Sequence, residues 1–394
     1  MPQKQNIHVL VTGGAGFIGS HSVDALLEEG FDVRVLDNLT SGAIENLPQH
    51  EPRLEFVEGD ITDGPTVYQA MQDISHCLHL AAQVSVTRSI EDPKYSGTQN
   101  IIGCVNVFQQ ARLRRLRKVV YASSAAVYGN PSTLPVEERT PLAPLSPYEL
   151  EKQVNEQYAA LFSAQFGLSL LGLRYFNVYG PRQDPKSPYA GVISKFTDCL
   201  TRSEAPTVFG DGTQTRDFVY VKDVARANLA ALLSNHDGVC NVATGTEVNL
   251  LELLRILSIA LDVHVDPKQA GARIGDILES RADVTRQLDW LDFVPQWALA
   301  DGLRAYIVEA LECGLPAVST ACVGGPREIL ADGKFGRLVP VNDPVALAKA
   351  MENALSVPAD REALKARAQF FSIDRSVDQY LKVLLPDDLN GPSA

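Results

Sequence analysis

One stretch near the start restricts the fold more than any other. Residues 7–19, IHVLVTGGAGFIG, run from β-branched apolar residues straight into glycines, and a helix-forming pattern, HSVDALLEEG, follows. Gly13, Gly16 and Gly19 together suit a tight turn, a close backbone approach to a pyrophosphate, and a helix packed tightly on the preceding strand. The N-terminus of that helix would face the negative charge. The second strand-like run ends at Asp37, about 20 residues on, where a carboxylate can accept hydrogen bonds from ribose hydroxyls. That carboxylate would repel a 2′-phosphate, so the pattern favours NAD over NADP. The plainer reading, a structural glycine turn beside a surface aspartate, needs both features to coincide by chance.

Further strand-like runs follow at short spacing: DVRVLD, LEFVEGDI, HCLHLAA, KVVYASS and LSLLGLRYF, separated by helical patterns such as NIIGCVNVFQQARLRR. Alternating strands and helices predict an α/β fold, a Rossmann-type doubly wound parallel sheet covered on both faces. After about Gly180 the alternation loosens, and FVYVKDVARANLAALL reads as one more strand and helix returning to the sheet. The expected organisation is an NAD-binding domain over 1–180 with 214–238 returning to it. A smaller α/β substrate lobe over 181–213 and 239–308 comes next, then an αβα piece over 309–385 and a disordered tail at 386–394.

Composition bears on partners. The 394 residues carry a formal net charge of −13, which disfavours a broad nucleic-acid-binding face. No apolar run approaches the roughly 18 residues of a membrane span, and the short first apolar run reads as a strand and not a secretory signal. Six cysteines without a CxxC pair suit a reducing, cytoplasmic setting, and no metal site is expected.

Tyr148 and Lys152 stand at i and i+4 in SPYELEKQ, on one face of a helix. A nearby ammonium and a cationic nicotinamide would both favour the phenolate, so Tyr148 can serve as a base near neutral pH. Ser124 ends the buried strand of YASSAAVYG, placed to share a substrate hydroxyl with Tyr148; a strand-end serine can equally cap a turn. Asp60, in GDITD, either reaches an adenine amino group or caps the next helix.

The ordered set TGGAGFIG, DNLTSG, GDITD, HLAAQVSV, YASSAAVYG, SPYELEK, LRYFNVYGPRQDP, FGDGTQTRDFVYVKDV and RIGDILESRAD resembles the extended short-chain dehydrogenase/reductase family over about residues 1–308. Within that family it is most similar to NAD-dependent nucleotide-sugar epimerases. The resemblance implies that Phe17, Ile18, Asp37, Asn38, Gly42, Asp60, Ile61, Ala81, Ala82 and Phe176 line NAD with the three glycines. It implies a catalytic triad of Ser124, Tyr148 and Lys152. Asn177, Arg216, Arg273 and Asp276 would hold the nucleotide of a UDP-sugar, and arginines suit a diphosphate because they donate in a planar fork.

Related dehydratases carry an Asp-Glu pair where this chain has Ala125 and Ala126, so elimination lacks its proton carriers and C4 epimerisation is the expected reaction. The small Ser280 sits where related enzymes wall the sugar's C2 substituent. It favours UDP-GlcNAc/UDP-GalNAc, with UDP-Glc/UDP-Gal also admissible. A UDP-glucuronate 4-epimerase, or another 4-keto-forming dehydratase or decarboxylase, is the alternative. The family commonly pairs through the helices carrying NVFQQARLRR and YELEKQVNEQYAALF, which makes a homodimer the expectation. From about residue 309, EALECGLPAVST and GGPREIL resemble the C-terminal piece of group 1 retaining glycosyltransferases. Without that family's acceptor domain, transferase activity is not expected. Strands are expected at Ala317–Thr320 and near Arg337–Pro340.

Overall fold

A computed structural model describes residues 7–183, 192–201, 204–261, 265–271, 278–299, 317–320, 330–331, 333–339, 349–350 and 360–369. Six strands of the first half are β1 (His8–Thr12), β2 (Asp32–Asp37), β3 (Leu54–Glu58), β4 (His76–His79), β5 (Lys118–Ser124) and β6 (Leu170–Tyr175). Short strands β7 (Asn177–Tyr179), β8 (Thr207–Phe209), β9 (Thr215–Arg216) and β10 (Phe218–Tyr220) precede β11 (Gly238–Val242). β11 joins the first six in a seven-stranded parallel sheet of order β3-β2-β1-β4-β5-β6-β11, a doubly wound order. The expected Rossmann-type sheet is therefore present. The strand expected to return to the sheet, FVYV, forms β10 and pairs with β7 instead; the strand that joins the sheet is β11, which runs four residues past the expected boundary at 238.

The sheet forms because its strands alternate between two apolar faces. Val9, Val11, Val33, Val35 and Val120 pack under α1 (Phe17–Glu28) and the returning helix, with Val23, Leu26, Val224 and Ala227. Their neighbours Leu10, Leu36, Val119 and Tyr121 face the opposite side. There they meet α2 (Gly64–Ala70), α5 (Gly103–Arg114) and α6 (Pro147–Phe166), which contribute Val67, Phe108 and Phe162. Two short helices, α3 (Val86–Glu91) and α4 (Pro93–Gly97), lead through a π-helical turn, Thr98–Ile102, into α5.

By compactness the chain divides into two units: 1–194 with 208–252 and 269–299, and 195–207 with 253–268 and 300–394. The first unit thus includes much of the segment expected as a separate substrate lobe. Within it β7 pairs in parallel with β10, and β9 pairs antiparallel with β12 (Val248–Asn249). The second unit holds the expected pair of C-terminal strands. After the short β13 (Lys268–Ala270), β14 (Ala317–Thr320) and β15 (Gly336–Val339) run parallel with Ala317 opposite Gly336, and a helix spans Arg361–Gln369. The tail at 386–394 lies outside the described residues. Among the described residues no helix is long and apolar enough to cross a membrane.

Candidate active site

The turn after β1 is closed by backbone contacts that admit only glycine at two positions. Gly13 has φ +72, and a Cβ there would lie 2.7 Å from the Ala81 nitrogen. A Cβ on Gly19 would lie 2.0 Å from the Gly13 carbonyl oxygen. Gly16 precedes α1 in extended conformation, no side chain caps the helix, and its first turn carries no acidic residue. The first N–H groups of α1 are therefore available to an anion, with the helix dipole behind them. This cradle fits a dinucleotide pyrophosphate. Phe17 and Ile18, both partly buried, begin the helix.

Asp37 is buried at the end of β2 and locks the loop: Oδ2 accepts from the Ala15 N–H at 3.0 Å and Oδ1 from the Leu39 N–H at 2.9 Å. Gly42 packs against the Ala15 backbone, and the Ala43 N–H donates to the Ala15 carbonyl at 3.0 Å. Asn38 Nδ2 donates to Asp60 Oδ2 at 2.8 Å. Asp60 also accepts from the Thr62 N–H and hydroxyl, at 2.8 and 2.7 Å. Burial pushes its carboxyl up, but these bonds and one from Gln99 outweigh it and hold it below the usual range. Asp60 does not cap α2; Asp63 occupies that position. Ile61 is buried against Gly103, and Ala81 and Ala82 line the exit of β4. Beneath them the Thr12 hydroxyl contacts His79 Nδ1 at 2.7 Å and accepts from the Ala81 N–H at 3.3 Å. Burial, helped by the Lys152 charge, lowers His79 to about 3, so this imidazole is neutral.

Helix α6 starts at Ser146, whose hydroxyl accepts from the Glu149 N–H at 3.3 Å, with Pro147 in the first turn. Tyr148 therefore sits in the first turn and Lys152 one turn later. The Tyr148 N–H donates to Ser89 Oγ at 3.1 Å, and its hydroxyl hydrogen-bonds Ser124 at the end of β5. Lys152 is buried, donates from Nζ to the Ala122 carbonyl at 2.9 Å, and lies 5.8 Å from the Tyr148 ring centroid. The structure thus brings Ser124, Tyr148 and Lys152 together through one strand end and one helix turn. The protein alone does not depress the phenol. Burial pushes Tyr148 up to about 12 and outweighs the Ser124 bond, while Glu151 and Glu149 push in the same upward direction. Lys152 is itself lowered by burial. The expected phenolate therefore needs positive charge beyond that of the lysine.

Ser124, Ala125, Ala126, Phe176, Asn177, Arg216 and Ser280 line one cavity of about 150 Å³. β7 presents Asn177, whose Nδ2 donates to the Asp217 carbonyl at 3.2 Å. β9 presents Arg216, and the Ser280 N–H donates to Thr215 Oγ1 on the same strand at 3.3 Å. Fully buried Asp217 accepts from the Thr244 N–H and Gly245 N–H, both at 2.9 Å, and so fixes the turn after β11. Arg273 and Asp276 lie outside the described residues. Sequence reading missed the cluster that Gln83, Ser96 and Asn100 form around Glu151 of α6. Gln99, which bonds Asp60, escaped it too. The π-helical turn that aims Gln99 and Asn100 leaves no mark in an apolar periodicity.

A family model described as NAD dependent epimerase/dehydratase family matches residues 9–243, and one for glycosyl transferases group 1 matches 300–370. A putative UDP-glucose 4-epimerase of Methanocaldococcus jannaschii is 42% identical over 301 residues, 76% of this chain and 97% of that protein. The UDP-N-acetylglucosamine 4-epimerase of Methanobrevibacter ruminantium, solved with UDP-N-acetylmuramic acid, superposes with TM-score 0.74 at 39% identity, covering 77% of this chain and 99% of that one. The UDP-glucose 4-epimerase of Thermus thermophilus, solved with NAD, gives TM-score 0.70 at 36% identity over 76% and 97% of the two chains. With the glycine cradle, the Asp37 lock and the Ser124–Tyr148–Lys152 cluster in place, the chain belongs to the NAD-dependent epimerase/dehydratase family and carries a C-terminal segment similar to group 1 glycosyl transferases.

Proposed function

We propose that this chain epimerises a UDP-sugar at C4, with UDP-GlcNAc/UDP-GalNAc the preferred pair and UDP-Glc/UDP-Gal a second. The observation that carries this reading is the single cavity in which Ser124, itself bonded to Tyr148, faces Asn177, Arg216 and Ser280. When bound, NAD supplies a reversible hydride acceptor for C4 and a cationic ring that favours the Tyr148 phenolate. Tyr148 takes the C4 hydroxyl proton and later returns it, with Ser124 sharing the hydrogen bond. Lys152 holds its turn of α6 on the Ala122 carbonyl. Arg216 takes the diphosphate, and Arg273 and Asp276 are assigned to the nucleotide with it.

Ala125 and Ala126 offer no acid or base at the positions where related dehydratases carry an Asp-Glu pair, which disfavours water loss. The small Ser280 leaves room for an acetamido group. NMR of the protein incubated separately with UDP-GlcNAc, UDP-Glc and UDP-GlcA tests the assignment. C4 epimers of the first two are expected, and turnover of UDP-GlcA alone would refute the sugar assignment. Ser280→Tyr should suppress UDP-GlcNAc turnover and spare UDP-Glc, and equal loss on both would refute the role of Ser280. We assign homodimerisation to α5 and α6, whose Leu113, Leu150, Leu161 and Phe166 are exposed apolar side chains. Light scattering of the purified chain should give twice the monomer mass.

A further inference from the structure

Besides Tyr148 and Lys152, helix α6 carries the buried carboxylates Glu149 and Glu151 and the largely buried Glu156. Glu156 is answered by Arg174, which holds it through Nε at 2.8 Å and Nη2 at 2.6 Å. Glu151, only 4% exposed, has no ion pair among the described residues. Its Oε2 accepts from Ser96 Oγ at 2.8 Å and from Asn100 Nδ2 at 2.6 Å. Asn100 also clamps the backbone of Gln83: its Oδ1 accepts from the Gln83 N–H and its Nδ2 donates to the Gln83 carbonyl, both at 2.8 Å. Gln83 Nε2 donates to Ser96 Oγ at 3.1 Å and closes the ring. Asn100 lies on the π-helical turn, whose preceding residue Gln99 bonds Asp60. One short turn therefore ties Asp60, the Ala81–Gln83 loop and the catalytic turn of α6 together.

We propose that Glu151 is a positioning residue for the Tyr148–Lys152 pair, a buried negative charge held by Ser96 and Asn100 that fixes the first turns of α6 and acts on the pair through its field. The inference rests on Tyr148 being the base of the proposed reaction. Neutral donors serve the Glu151 carboxylate, so its charge stays undiluted by a counter-ion. It pushes both Tyr148 and Lys152 toward their protonated forms. Glu149 on the same helix acts on Tyr148 in the same direction, while Ser124 from β5 opposes it. Cys104 from α5 and neutral His79 from β4 face Lys152. Burial holds the phenol protonated, and Glu151 adds to it until a stronger positive charge arrives.

The test is Glu151→Gln in the holoenzyme, a change of charge at nearly constant shape. The near-ultraviolet tyrosinate titration of each protein, minus that of the same protein carrying Tyr148→Phe, isolates Tyr148 without any sugar present. We expect its ionisation constant to rise roughly threefold or more, about half a pH unit toward acid. The acid limb of the kcat profile should move the same way, and Glu151→Asp should move it back. If the amide variant does not fold, Glu151→Ser, which removes the charge and leaves room for water at Ser96 and Asn100, carries the same titration. A folded neutral variant whose Tyr148 titrates as in the wild type overturns the proposal. A shifted titration in proteins that epimerise no UDP-sugar refutes the reaction instead and leaves the charge coupling intact.

Discussion

Gly19→Ala gives the sharpest perturbation of the cofactor cradle. The added Cβ would stand 2.0 Å from the Gly13 carbonyl oxygen and 2.8 Å from both the Gly13 carbonyl carbon and the Gly14 Cα. Carbon pairs sit best about 3.5–4.0 Å apart, so relief takes on the order of 1 Å of movement between α1 and the loop. No flexible side chain can absorb it, because all three atoms are backbone. The loop is held in turn by the Gly13 N–H on the Leu36 carbonyl at 2.9 Å and by the Ala15 N–H on Asp37 at 3.0 Å. A misplacement of that size costs about 100-fold where groups must be held in register, or roughly 3 kcal/mol of NAD affinity. Overpacking should remove a further 1–3 kcal/mol or so of stability. Gly16→Ala separates the two effects. Its Cβ meets only the Gly13 oxygen, at 3.2 Å, so the fold should tolerate it while the methyl crowds the pyrophosphate. NAD affinity by titration calorimetry and stability by urea unfolding read both. A folded Gly19→Ala protein with wild-type NAD affinity would refute the cradle, as would a Gly16→Ala protein destabilised as severely as Gly19→Ala.

Two further outcomes concern stability. Arg174→Met strands the largely buried Glu156 carboxylate and removes the guanidinium donor 2.9 Å from the Tyr128 hydroxyl. Urea unfolding should show a loss of about 3–5 kcal/mol, and a loss under about 1 kcal/mol would mean the pair is dispensable. Acid should destabilise the fold in a definite window. Burial lowers His21 and His76 to about 4 and His79 to about 3, so these rings stay neutral while the unfolded chain takes up protons below 6.5. Stability then falls with pH from about 6.5 toward 4, by up to about 1.4 kcal/mol per unit for each ring. Asp24 and Asp217, raised by burial, act in the opposite sense at lower pH. A melting temperature flat between pH 6.5 and 5 would contradict neutral burial of the histidines.

The parts of the site that depend on local spacing were legible from residues alone. Glycines spaced by three after a β-branched run, a carboxylate at the end of the second strand, and a tyrosine and lysine one helical turn apart each follow from chain geometry over a few residues. What escaped depends on depth and on long-range partners. The charge of Lys152 is visible in the sequence, but its bond to the Ala122 carbonyl and the burial of Tyr148 that raises the phenol are not. Thr12 and His79 meet across 67 residues and carry no mutual signature. Gln83, Asn100 and Glu151 resemble solvated polar residues until a π-helical turn, which shifts the helix register, aims Asn100 at the other two. The strand that completes the sheet, Gly238–Val242, escaped as well: GVCNV is short and holds a polar Asn241, while the more apolar FVYV forms β10 and pairs with β7.

In the proposed reaction hydrogen leaves C4 of the sugar and returns to the same carbon on the opposite face, with Tyr148 moving the hydroxyl proton. Reaction of UDP-GlcNAc in deuterium oxide, followed by NMR, examines this directly. UDP-GalNAc should form with its C4 hydrogen unexchanged and C5 also free of deuterium, and Tyr148→Phe should give no product. Deuterium at C4 or C5, or wild-type turnover by Tyr148→Phe, would contradict it.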